Sequence, residues 1–177
     1  MAINGRKEDS KFSVTGDIAC RRTAWENYPE REMRMNRKET ALETFGKGFN
    51  CCQSVLSAFG EEGQIDRTTA LKIAAGFGGG LRKGEVCGAV SGGVMVLGLH
   101  HGHFEEGDVV RKEKVNARTV AFIDSFEQRN GSCICKKLLG YDISVQSEHD
   151  EAAAKGVFGT VCPKMIGDAV ELLEGML

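Results

Sequence analysis

No two cysteines of this 177-residue chain stand in a C-x-x-C pair, although the chain carries seven of them. That absence removes the local ligand spacing by which zinc and cluster sites are usually recognised in a sequence. The opening residues 1–11 are polar and lack the apolar core of a secretory signal. The most apolar stretch, residues 86–99, is too short and too rich in glycine to span a bilayer. No block of like charge occurs either: the net charge is −2, with acids and bases interspersed. Neither nucleic acid nor an anionic membrane is therefore expected as a partner. These absences leave a soluble, cytoplasmic protein as the expectation.

Cysteine is abundant for such a protein. The length suffices to bury a core without help from disulfides. Glutathione and thioredoxin keep most cytoplasmic thiols reduced, so the set points to metal binding or redox activity rather than a disulfide framework. The odd count agrees, because a full set of bridges would leave one thiol over.

The chain changes character near residue 40. Residues 1–38 are charged and aperiodic, carry the lone Cys20, and read as an extension, either a genuine arm or an overlong start ahead of Met33 and Met35. Residues 39–177 read as a helical cysteine-rich domain. A short helix over 40–45 ends at Gly46 and Gly48. Asn50 then caps a helix whose apolar side is Cys52, Val55, Leu56 and Phe59. Asp66 caps a third, carrying Leu71, Ala74, Ala75 and Phe77, before the run Gly78-Gly79-Gly80 and a loop over 81–86.

The fourth helix, 87–100, holds Gly88, Gly92 and Gly93. Each glycine inside a helix costs about 1 kcal/mol relative to alanine, so several together imply close approach by another backbone or a cofactor. This is expected to be the central helix. A long helix over 107–129 turns Val115, Thr119, Phe122, Ile123 and Phe126 inward and stops at Asn130-Gly131. Brief helices follow over 133–139 and 148–155. The last opens at Cys162-Pro163, with proline in the favoured first position, and buries Ile166, Ala169, Val170 and Leu173. Nothing reads as a strand pair, and the expected fold is all-α: a compact bundle of about six or seven helices with glycine-rich connections.

On that map Cys51 or Cys52, Cys87 and Cys162 fall in first turns, where free N–H groups and the helix dipole favour an anion. Their thiolates are expected to form more readily than that of a free cysteine, against the alternative that buried cysteine is simply a small hydrophobe.

These residues carry a resemblance. Gly48-Phe49-Asn50-Cys51-Cys52-Gln53-Ser54-Val55-Leu56, Gly76-Phe77-Gly78-Gly79-Gly80 and Cys87-Gly88-Ala89-Val90-Ser91-Gly92, followed by residues 131–140 around Cys135 and by Val161-Cys162-Pro163, resemble the redox-active protein family named for its C_GCAxxG_C_C pattern. The resemblance implies that the four marking cysteines are Cys51, Cys87, Cys135 and Cys162, and that their role is redox. Cys52 and Cys133 are additions to the pattern, and Cys20 lies outside it.

Two mechanisms fit four such thiols. In one, Cys51, Cys87, Cys135 and Cys162 converge and hold an iron-sulfur cluster for electron transfer, with Gly78, Gly79, Gly80 and Gly88 letting backbone N–H groups approach the sulfurs. In the other, two of them alternate between dithiol and disulfide, with Cys87 attacking beside Arg82 and Lys83 and one of the remaining three resolving. A structural metal such as zinc is a non-enzymatic alternative, weakened by the missing ligand pairs. A redox partner protein or oxidoreductase is implied by either redox mechanism, and the small-residue helix makes a homodimer plausible.

Two weaker patterns complete the reading. Residues 78–84 resemble a phosphate loop in outline, but no Gly-Lys-Ser/Thr follows and no strand precedes. His100, His101 and His103 could bind zinc or nickel, although clustered histidines at a helix end also serve as cations that complement the dipole.

Overall fold

The structure is a computed structural model that describes residues 37–177. The expected extension over residues 1–38 therefore lies outside the described residues, with its Cys20, except for Arg37 and Lys38, which open the first helix.

Eight α-helices follow in chain order: α1 Arg37–Gly46, α2 Cys51–Ala58, α3 Arg67–Ala74, α4 Gly88–His101, α5 Val109–Asn130, α6 Cys135–Leu139, α7 Gln146–Ala154 and α8 Val157–Glu174. The fold is all-α, and among the described residues the only extended pairing is one isolated antiparallel bridge, Val86 with Ile134.

Local chemistry explains the boundaries. Asn50 starts α2 through a capping box in which its side chain accepts from Gln53 N–H at 3.0 Å while Gln53 Oε1 accepts from Asn50 N–H at 2.9 Å. Asp66 and Asp108 cap α3 and α5 in the same way, accepting from the amides of Thr69 and Arg111. Gly131 and Gly140 close α5 and α6 in the left-handed conformation, as the Asn130-Gly131 and Gly140 signals predict.

The core lies between α2, α4, α5 and α8. Val55 and Leu56 of α2 and Phe59 at its end meet Val90, Val96 and Leu97 of α4, and Phe122 and Phe126 of α5 close one side while Ile166, Val170 and Leu173 of α8 close another. Helix α4 is central, as expected, and its glycines explain why. A Cβ at Gly92 would stand 2.9 Å from the Cys52 carbonyl oxygen and one at Gly93 would stand 2.3 Å from Phe122 Cζ. The α2 backbone and an α5 ring thus occupy the space that side chains would need.

Two differences from the sequence reading go beyond a shift of a few residues at a helix end. Helix α8 begins at Val157, after left-handed Gly156, so Pro163 lies inside the helix rather than at its first position. The hydrogen bond that proline cannot donate would have gone to Gly159, which is exposed and has no side chain to crowd the ring. Ala75 is exposed rather than inward because α3 ends at Ala74 and the chain tightens into a 3₁₀ turn, Ala75–Phe77.

Candidate functional site

Four segments deliver the four marking cysteines to one place. Cys51 is the first residue of α2, and Cys87 is the residue that caps α4. They are held together at Gly88, where a Cβ would lie 3.1 Å from Cys52 N and 3.2 Å from Cys51 Cβ. Cys135 is the first residue of α6. It sits beside Cys87 because Cys87 N–H donates to the Cys133 carbonyl at 2.8 Å and Cys135 N–H donates to the Glu85 carbonyl at 2.6 Å, flanking the Val86–Ile134 bridge. Cys162 arrives from the second turn of α8, not from a first turn as its Cys-Pro context suggested.

All four thiols line a single cavity of about 190 Å³, walled by apolar side chains that include Phe45, Leu138, Ile143, Phe158 and Met165, with Asn50, Arg82 and His149 as its polar members. All the described cysteines are free thiols. Cys52 and Cys133 face elsewhere. Cys52 is fully buried with its sulfur 3.8 Å from Met95 Sδ, and Cys133 is tied to Glu127, whose Oε1 accepts from Cys133 N–H at 3.0 Å.

Burial governs the protons of Cys87 and Cys135, and mutual contact governs those of Cys51 and Cys162. The Ala89 and Val90 amides draw the Cys87 thiol down, as a helix start should, yet burial outweighs them and pushes it up to about 11. Burial likewise raises Cys135 to about 12, with the neighbouring Cys87 and Cys162 charges adding to it. Cys51 is raised well above the usual thiol range, chiefly because it donates a hydrogen bond to Cys162, and further by burial. Cys162 is lowered because it accepts that bond. The expectation of readily formed thiolates at Cys51 and Cys87 is therefore corrected for the metal-free dithiol state: taking charge out of water costs more there than the helix dipole returns.

The glycine run borders the site. Gly78 packs against Asn50, where a Cβ would lie 2.5 Å from Asn50 Cβ, and so presses on the capping residue of α2. Gly79 lines the cavity. Gly80 leaves no room for a side chain, since its Cβ would stand 2.5 Å from Glu85 N. The amides that favour charge on Cys87 sulfur are those of Ala89 and Val90.

Residues 79–82 instead form a left-handed turn, a feature the sequence reading missed. Gly79 and Gly80 have φ +60° and +57°, and Leu81 and Arg82 continue at +57° and +60°. Left-handed conformation costs a residue with a Cβ roughly 1–2 kcal/mol. Leu81 recovers little of that by packing, as it is 51% exposed. The surroundings hold the turn: Glu85 N–H donates to the Gly80 carbonyl at 3.1 Å, and Lys136 Nζ donates to Glu85 Oε1 at 2.9 Å.

One of the three histidines departs from the sequence reading. His101 is pushed below the usual imidazole range by burial, with Arg118 and Lys114 adding to it, so it is neutral at pH 7 rather than a cation serving the α4 dipole. Among the described residues no group of three or more His, Cys, Asp or Glu side chains closes on one metal-ion position. The donor set thus does not fit a single tetrahedral ion. Among the described residues no helix is long and apolar enough to cross a membrane.

The fold and the cavity together define a helical protein with a converged four-cysteine centre. The chain belongs to the family described as "Putative redox-active protein (C_GCAxxG_C_C)", which it matches over residues 49–176. No curated protein matches it, and no solved structure does.

Proposed function

We propose that Cys51, Cys87, Cys135 and Cys162 hold an iron-sulfur cluster, and that the chain is an electron carrier working with a redox partner protein or oxidoreductase. The observation that carries this reading is the convergence of four thiols, from segments far apart in sequence, on one largely apolar cavity. Four thiols are the usual donor complement of such clusters, and a bound cluster takes up and returns an electron at a potential set by charge, hydrogen bonds and exposure. The Ala89 and Val90 amides favour negative charge on Cys87 sulfur, which would help offset the charge of a cluster there. The apolar walls would exclude water and limit loss of the metal.

Thiol protonation also weighs on the choice. Exchange needs a thiolate at working pH, and burial holds Cys87 and Cys135 up at about 11 and about 12. Coordination removes the proton outright. Dithiol chemistry remains the second reading for Cys51 and Cys162 alone, because they share a hydrogen bond and Cys162 is lowered by it.

Anaerobic purification with iron and acid-labile sulfide analysis tests the proposal. A brown protein containing both is expected, with each of Cys51→Ala, Cys87→Ala, Cys135→Ala and Cys162→Ala losing iron and colour and Cys52→Ala keeping them. Colourless protein after anaerobic reconstitution, with two thiols lost per oxidation, would refute the cluster and support a Cys51–Cys162 disulfide.

A further inference from the structure

Among the described residues Arg82 has no hydrogen-bond or ion-pair partner, yet its side chain lines the thiol cavity. Its neighbours differ. Lys136 is paired with Glu85 and Asp142, and Lys83 is not among the cavity residues. Arg82 and Lys83 are both unpaired among the described residues, and of the two the left-handed turn places Arg82 at the thiol cavity. Leu81 and Arg82 both hold positive φ, and Leu81 stays 51% exposed, so the strain secures no buried contact for that side chain. Strain of this kind persists where the surroundings enforce it and tends to collect at ligand sites.

A guanidinium matches a planar oxyanion through paired N–H donors, and Arg82, an exposed residue, presents its donors at the open side of the cavity. Besides Arg82, Asn50, His149 and the thiols, the cavity walls are apolar and include Ile143, Phe158 and Leu138. His149, whose ring lies 5.3 Å from that of Phe158, is the titratable side chain there besides the thiols. A ligand suited to these groups has a carboxylate at one end and a small apolar body at the other. We propose that Arg82 is a specificity-determining residue that anchors a small organic carboxylate at the mouth of the cavity. This deepens the reading of the cavity as the redox site, since it adds a place for a substrate next to the thiols. It also accounts for the departure of residues 78–84 from a phosphate loop: the glycines here bend the chain to present a side chain rather than to cradle phosphate with amides.

The test is calorimetric titration of the full-length chain, metal-free and iron-loaded, with benzoate and its uncharged counterpart benzamide. Benzoate should bind about tenfold or more tighter, the scale of a charge-assisted hydrogen-bond pair. Arg82→Gln and Arg82→Gly should lose that preference, while Lys83→Gln keeps it. Arg82→Gly should also melt at a higher temperature than the parent chain, because glycine adopts positive φ without strain. A merely structural Arg82 would lower the melting temperature and leave the benzoate preference unchanged. No benzoate binding in either form, equal binding of benzamide, or preference retained by Arg82→Gly overturns the proposal. A colourless chain that still prefers benzoate refutes the cluster and leaves the anchor standing; a brown chain indifferent to Arg82→Gly does the reverse.

Discussion

Two glycines of α4 offer a test of why this helix is central. Gly98 has nothing within 4 Å of the position its Cβ would take, whereas at Gly92 the Cβ would stand 2.9 Å from the Cys52 carbonyl oxygen and 3.0 Å from Val55 Cβ. Alanine at either position gains about 1 kcal/mol of helix propensity. At Gly98 nothing opposes that gain, so Gly98→Ala should stabilise by about that amount. At Gly92 the neighbour is backbone, which cannot rotate away, and forcing atoms into a packed interior costs roughly 1–3 kcal/mol. Gly92→Ala should therefore fall about 1–3 kcal/mol below Gly98→Ala, or roughly 2–4 °C in melting temperature for each kcal/mol in a chain of this size. The relief available is a shift of α2, and α2 begins with Cys51. Gly92→Ala should consequently also reduce iron retention, while Gly98→Ala should not. Thermal unfolding of both variants, with iron content measured alongside, is the assay. Equal stability in the two variants would show that α2 does not press on α4 and would remove the packing argument.

Further outcomes follow from the thiols and the caps. In the metal-free, reduced protein at pH 7, iodoacetamide with peptide mapping should modify Cys162 ahead of Cys51, Cys87 and Cys135, because Cys162 is lowered and the others are raised; first modification at Cys87 would contradict this. Thiols raised from 9.0 to about 11 at Cys87 and about 12 at Cys52 and Cys135 bind protons more tightly folded than unfolded. Their contribution is intact below pH 9.0 and lost as pH climbs toward those values, so denaturant midpoints should fall across that window and not below it. Asn50→Ala removes the capping box and the Asn50 Nδ2 bond to the Ala75 carbonyl at 3.0 Å. It should cost about 1–2 kcal/mol and loosen Cys51, whereas Asp66→Ala should cost about 1 kcal/mol and leave iron content unchanged.

Much of the helical plan was legible because it depends on neighbours in sequence. Asn50, Asp66 and Gly131 act within a turn of themselves, and the inward residues of α5 and α8 follow the helical period. The start of α8 was misread because Cys162-Pro163 carries the usual signal of a first turn, while the operative signal was Gly156, whose left-handed φ of +67° breaks the chain after α7. The turn at Leu81 and Arg82 escaped notice for a different reason. Neither residue favours positive φ, so only the contacts of Glu85 and Lys136, from outside the turn, hold it there.

What the order of residues determines by itself is an all-α chain with a glycine-lined central helix and four cysteines set at or near helix starts, since caps, periodicity and glycine costs are local quantities. Which sulfurs meet, and in what protonation state, was decided only by the tertiary structure. Cys51, Cys87, Cys135 and Cys162 share a cavity while Cys52 and Cys133 are turned elsewhere, and desolvation in that cavity overrides the helix dipoles that sequence position alone would credit. The reason is physical: distance between segments and exclusion of water are properties of the assembled bundle, and no short stretch of the chain carries either.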